Sequence, residues 1–176
     1  MNTLDVIILI FVLIPALLGL KKGFIKSIFS LISIIAGLAV ATKFHSGLSL
    51  VLSKFIKDTR FVDPLAFIII ILVFYLIGLY IASKLSKTGF ITDTLNKIGG
   101  FLFGSLKGVL FLSILFVIIG TTFLTPESQT KKSILYPYVL NVAPNTYNAV
   151  KNVLPFSKKD FNDLTKFFQT DSTGKK

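Results

Sequence analysis

"LLGLKKGFIKSIF", Leu17 to Phe29, places two glycines and three lysines inside an otherwise apolar run from Leu4 to Ala41. Its reading decides the fold. A helix needs about 20 apolar residues to cross the hydrocarbon core, within a range of about 17 to 25. The run from Leu4 to Ala41 is too long for one crossing and long enough for two. Divided at "GLKKG", it gives one span from Leu4 to Leu20 and another from Gly23 to Ala41. Five residues are too few for a folded loop, so the two helices are expected to form a tight antiparallel hairpin. Glycine permits the turn, and lysine holds it at the water boundary.

Two further segments pass the same length test, Pro64 to Ala82 and a stretch between Ile98 and Leu124. With 53% hydrophobic and only 15% charged residues in 176, the chain is too apolar for a soluble domain of this length. The expected fold class is therefore all-α: a polytopic membrane protein with four transmembrane helices in two hairpins, plus interfacial helices and an amphipathic C-terminal tail. The expected divisions are a transmembrane domain over 1–124, a linker over 125–133, an amphipathic extramembrane tail over 134–168 and a disordered terminus over 169–176. The first span is not expected to be a cleaved signal peptide, because Asp5 precedes it and the lysines follow it.

Local signals refine this picture. In "VDP", Asp63 and Pro64 make a start signal for the third span, and Pro15 is expected to kink the first. "HSGLSLVLSKFIKDTR" sets Leu48, Val51, Leu52, Phe55 and Ile56 opposite serines and lysines, the pattern of a short helix lying in the interface. Lys107 complicates the fourth span, since a lysine at the bilayer centre costs roughly 2.5 to 3.5 kcal/mol. The favoured reading starts the span at Gly108, with Thr92 or Asp93 capping an amphipathic stretch on the membrane and Lys107 snorkelling to the surface. The alternative is one long helix with Lys107 facing a protein or water interior. Gly100, Gly104 and Gly108, four residues apart, line one helix face with the smallest residue. That strip reads either as packing within the chain or as an oligomer contact or polar passage. Alanine at Gly104 is expected to be much milder than leucine. "GLKKG" also resembles "GSLKG" at Gly104 to Gly108, a similarity that chance explains as well as ancestry.

The tail from "SILYPYV" onward is broken by Pro137, Pro144 and Pro155, so short helices are expected. "SKKDFNDLTKFFQ" carries a capping pair, Ser157 and Asp160, before an apolar face that suits a membrane surface or a partner groove.

Chemistry is sparse. The absence of cysteine removes disulfides and thiolate sites, and the single His45 cannot build a multi-histidine centre. Asp5, Asp58, Asp63 and Asp93 are solitary carboxylates at or outside the span edges, which leaves no proton relay of the usual kind. No catalytic residue, cofactor or metal ligand is expected. The net charge of +11 points to anionic lipid headgroups rather than nucleic acid, because the lysines flank apolar segments.

The order of these segments, with "GLKKGFIKSIFSLISIIAGLAVA", "LNKIGGFLFGSLKGVLF" and "SILYPYV", resembles the colicin V production protein family over roughly Asn2 to Leu140. The resemblance implies a small four-span protein of the bacterial inner membrane, linked to colicin V production, export and envelope integrity. The family's positions in the first hairpin fall on Gly19, Lys21, Lys22, Gly23 and Phe24. Those before the last span fall on Leu95, Asn96, Gly99, Gly104, Lys107 and Gly108. The family's basic residues are often arginines, so lysine here weakens a bidentate phosphate-binding role. The candidates for helix packing or function are Gly19, Lys22, Gly23, Gly99, Gly100, Gly104, Lys107 and Gly108.

The expected function is non-enzymatic: assistance in toxin production or export and envelope homeostasis through contacts with other membrane components. The rival reading is a small pore-forming or transport subunit, channel- or holin-like. The expected partners are the anionic bilayer and other membrane proteins, with a homo-oligomer as one form of that contact. Basic residues near the spans divide equally between the two faces. The first span, however, has none before it and Lys21, Lys22 and Lys26 after it, so both termini are expected outside the cytoplasm.

Overall fold

The computed structural model describes residues 2–56, 58–85, 93–122, 130 and 132–151, and among them all regular structure is helical. Three helices are long: α1 (Thr3–Leu52), α2 (Thr59–Leu85) and α3 (Asp93–Thr122). Two short ones follow, α4 (Tyr136–Leu140) and α5 (Val142–Lys151). Each of the three long helices is apolar and long enough to cross a membrane. Val6, Leu9, Leu13, Ile14 and Leu17 are all exposed, an outer surface that only lipid or another protein can cover without large penalty.

At 50 residues, α1 would be about 75 Å long if straight, more than twice the roughly 30 Å hydrocarbon core. It is interrupted once. Gly23 has φ 81° and ψ 173°, non-helical values that divide α1 into a first arm, residues 3–22, and a second arm, residues 24–52. Among the described residues no other non-helical backbone breaks α1, and Pro15 sits inside the first arm in helical conformation. Positive φ is the reason for glycine here, since a side chain at that dihedral would strain the backbone.

The two arms both pack on α3. Along the first arm, Gly19 lies against Gly100, Pro15 against Gly104, and Val12 against Gly108, with Ile8 and Leu112 sharing one buried cluster. Along the second, Phe24 lies against Gly99, Ser30 meets Lys107, and Ile34 and Leu38 pack with Leu110 and Ile114. α2 covers the second arm's other side, with Gly37 against Ile71 and Gly78 against Ser33 and Phe29. α4 and α5 close one end: Ala143 and Tyr147 of α5 belong to the same buried cluster as Leu38, Phe67 and Ile114.

Several local expectations are corrected. α3 is one continuous helix, and Lys107 is only 7% exposed within it, so the alternative with an inward lysine holds over the snorkelling one. The short helix expected from "HSGLSLVLSKFIKDTR" is not separate, because helical geometry runs through Leu52 as the end of α1. α2 begins at Thr59, ahead of Asp63 and Pro64, which fall within its second turn rather than at its start. Of the linker, 125–129 and 131 lie outside the described residues, and "SKKDFNDLTKFFQ" and the terminus lie wholly outside them.

Candidate functional site

The turn residues at Gly23 face a specific partner. Breaking the helix there removes the carbonyl that would have accepted from the Phe24 amide, and a part-buried amide left unpaired is costly. Asn96 of α3 supplies the acceptor: the Phe24 N–H donates to its Oδ1 at 2.7 Å. The asparagine thus caps the second arm from another helix. A Cβ on Gly23 would sit 2.5 Å from Asn96 Oδ1, so glycine also leaves room for the cap. Phe24 then turns over Gly99, whose own Cβ would lie 2.5 Å from the ring, and meets Phe103 edge to face with centroids 5.3 Å apart.

Below this cap runs a glycine seam. A Cβ on Gly104 would lie 2.5 Å from the Pro15 carbonyl oxygen and 3.2 Å from the Ala16 Cα. A Cβ on Gly19 would collide with the Gly100 backbone, and one on Gly100 with the Gly19 backbone. The obstacles are backbone atoms, which cannot swing aside. Gly108 packs on Pro15 and Val12, beside the Phe11 carbonyl oxygen. Pro15 has no N–H to offer that oxygen in the usual i to i−4 bond, so proline and glycine together bring a freed carbonyl against a bare helix surface. The strip therefore serves contact within the chain, and alanine at Gly104, expected to be mild, already meets backbone atoms.

Lys107 lies beside the seam on a different face of α3. Its Nζ donates to Ser30 Oγ at 3.4 Å and stands 5.7 Å from the centroid of the Tyr75 ring. Ser30 is itself held by donating to the Ser27 carbonyl at 2.8 Å. Lys22, by contrast, is exposed at the turn. Both lysines line a cavity of about 570 Å³ between the first arm of α1, α2 and α3.

A further polar cluster sits at the opposite end of the first arm and was not foreseen. Asp5 is buried, and its Oδ1 accepts from Ser133 Oγ at 2.5 Å and from the Leu135 amide at 3.0 Å. Its Oδ2 accepts from the Asn2 amide at 2.9 Å, completing a capping box. Ser133 Oγ also accepts from the Tyr136 amide at 3.1 Å, so one carboxylate ties the start of α1 to the start of α4. Next to it, Ser113 Oγ donates to the Leu140 carbonyl at 3.0 Å and accepts from the Ala143 amide at 2.8 Å, anchoring the junction of α4 and α5 on α3. Asp5 reads as a solitary carboxylate because its partners beyond the local Asn2 amide are a serine and a backbone amide 128 and 130 positions away, which no spacing rule links.

The structure thus brings Gly19, Gly23, Gly99, Gly100, Gly104 and Gly108 together and sets Lys22 and Lys107 on one cavity. The separate "GLKKGF" and "LNKIGGFLFGSLKG" motifs meet in a single contact region. The family model for colicin V production protein matches residues 4–144. The chain belongs to that family. The matched span takes in both motifs, Lys107 with Ser30, and Asp5 with Ser133. No curated protein and no solved structure matches the chain.

Proposed function

We propose that this member of the colicin V production protein family is a non-enzymatic protein of the bacterial inner membrane that assists bacteriocin production or export and envelope homeostasis by contacting other membrane components. The observation that carries the reading is the family match across residues 4–144, joined to three helices long and apolar enough to span a bilayer. In this reading the two arms of α1 cross separately, which gives four crossings in two hairpins. Both termini then lie outside the cytoplasm, and the "GLKKG" turn lies within it. Support comes from the divided α1, the lysines at its break and the lack of basic residues before the first arm.

The rival pore reading drew on a glycine face free to line a passage or join copies. That face is occupied by the chain's own first arm, which favours the reading of contacts with other membrane components over the pore. Partners remain the anionic bilayer and other membrane proteins.

Deletion in the producing cell, followed by measurement of secreted bacteriocin and survival in bile salt, tests the function. Loss of both, restored by the intact chain, is the expected result. Unchanged secretion and survival would refute the reading. Because the chain lacks cysteine, topology can be read separately. Lys21→Cys should be labelled only from the cytoplasmic side and Ser128→Cys only from outside, and reversed labelling would overturn the orientation.

A further inference from the structure

The cavity that Lys22 and Lys107 share is walled by apolar side chains, among them Phe11, Leu18, Ile34, Ile71, Phe111 and Ile118. At about 570 Å³ it lies within the roughly 300 to 1,000 Å³ of pockets that hold small molecules, room for a headgroup and part of one acyl chain. Leu18, Leu72 and Phe111 on its rim are exposed, so it opens on the outer surface that faces lipid. Its polar side chains are Lys22, Lys107 and Tyr75.

Charge singles out the occupant. An ammonium has three donors. Lys107 uses one on Ser30 Oγ and points toward the Tyr75 ring, and among the described residues no carboxylate pairs with it. Lys22 adds a second positive charge on the same cavity. Two like charges converging on a low-dielectric space repel one another unless an anion sits between them. An anion alone would leave the apolar walls empty, and an uncharged chain alone would leave the lysines unmatched.

We propose that this cavity is a binding site for an anionic phospholipid, whose phosphate bridges Lys22 and Lys107 while one acyl chain lies along the groove toward Ile68 and Ile118. Ser30 and Tyr75 orient the Lys107 ammonium toward the phosphate. The site needs only that the chain resides in a bilayer, so it stands or falls independently of any role in bacteriocin export.

The test uses the full chain in a non-ionic detergent, with lipid binding followed by native mass spectrometry and by thermal stabilisation. The probes are phosphatidylglycerol, phosphatidylcholine with the same acyl chains, and glycerol 3-phosphate. Phosphatidylglycerol is expected to bind at least about tenfold more tightly than phosphatidylcholine, a difference of about 1.4 kcal/mol. Lys107→Gln should abolish that preference, and Lys22→Gln, at an exposed position, should reduce it several-fold. Lys43→Gln, an exposed lysine away from the cavity, should leave it unchanged. Equal binding of the two lipids would overturn the site. So would retention of the preference in Lys22→Gln, or a loss in Lys43→Gln as large as in Lys22→Gln, which would mark general surface attraction. Glycerol 3-phosphate binding as tightly as phosphatidylglycerol would show a soluble-anion site and overturn the lipid assignment.

Discussion

The two arms of α1 touch the same helix in opposite ways. The first arm meets α3 through Gly19, Pro15 and Val12 against Gly100, Gly104 and Gly108, backbone laid on backbone with nothing polar required from a side chain. The second arm meets α3 through an asparagine cap, an aromatic pair and a lysine on a serine. In lipid there is no hydrophobic drive to bring helices together, so association depends on close fit and on hydrogen bonds that have no water to compete with them. The first arm takes one solution and the second takes the other. A seam of backbone contacts holds by fit and tolerates no added atom. A cap holds by one directed bond and fails by degrees.

The largest effect should come from adding volume to the seam. Gly104→Leu would drive a side chain into the Pro15 carbonyl, and overpacking of this sort typically costs about 1 to 3 kcal/mol. Protein accumulation in the membrane should fall sharply. Gly104→Ala should fall most of the way with it, since even the first carbon meets backbone at 2.5 Å. Phe101→Leu, at an exposed position off the seam, is expected to accumulate normally. Normal levels of Gly104→Leu by immunoblot would show that the two backbones do not approach.

Next comes the Asp5 cluster, which belongs to the first arm but works like the second. Asp5→Ala leaves the Ser133 hydroxyl and the Leu135 and Asn2 amides without their acceptor, at about 1 to 3 kcal/mol for a buried group left unpaired. The expected result is faster proteolysis between residues 130 and 145 with the long helices intact. Cleavage unchanged from the parent would remove the carboxylate from its place as the tie between α1 and α4.

A smaller loss is expected at the cap. Asn96→Ala removes the acceptor for the Phe24 amide and should cost about 1 kcal/mol, as cap removal does elsewhere. Asn96→Asp keeps the oxygen and should be milder in the same thermal unfolding assay. Equal losses in both would mean that volume, not the hydrogen bond, matters at this position.

How much of this was legible beforehand follows from the same contrast. The glycine strip could be read because its four-residue period is the period of a helix face, and Gly23 could be read because lysines beside a glycine mark the end of an apolar run. Directed bonds have no period. Nothing near Asn96 in the chain announces that its oxygen will cap Phe24, and nothing near Asp5 announces Ser133. Only the family resemblance pointed at Asn96, and for Asp5 only the three-residue spacing from Asn2 is a local signal, one that marks the helix start and not the tie to Ser133. Of the two readings of Lys107, the insertion cost favours the surface because it assumes lipid around the ammonium, whereas the fold supplies Ser30, Tyr75 and the cavity. The start signal at "VDP" does not mark the start of α2, because such a pair can also sit one turn inside a helix whose first turn lies in the preceding residues.

The smallest effect should come from glycines outside the seam. A Cβ at Gly47 meets nothing within 4 Å, and the position is helical. Gly47→Ala should leave accumulation unchanged or stabilise by about 0.5 to 1 kcal/mol, through the lower backbone entropy of alanine. A loss comparable to Gly104→Ala would mean that the chain's glycines are sensitive for a reason other than the seam.

The most direct measurement of the central claim, that α1 breaks at Gly23 and lays both arms on α3, is oxidative crosslinking in native membranes. Two cysteine pairs in the otherwise cysteine-free chain suffice, Ile8→Cys with Leu112→Cys and Phe24→Cys with Phe103→Cys. Each pair, bridged by a short bifunctional thiol crosslinker with a cleavable disulfide where the oxidant alone does not close it, should link within one chain, seen as a monomer of altered mobility that reverts on reduction. Crosslinks that form only between two chains, or a first-arm pair that fails to close while the second closes, would contradict it.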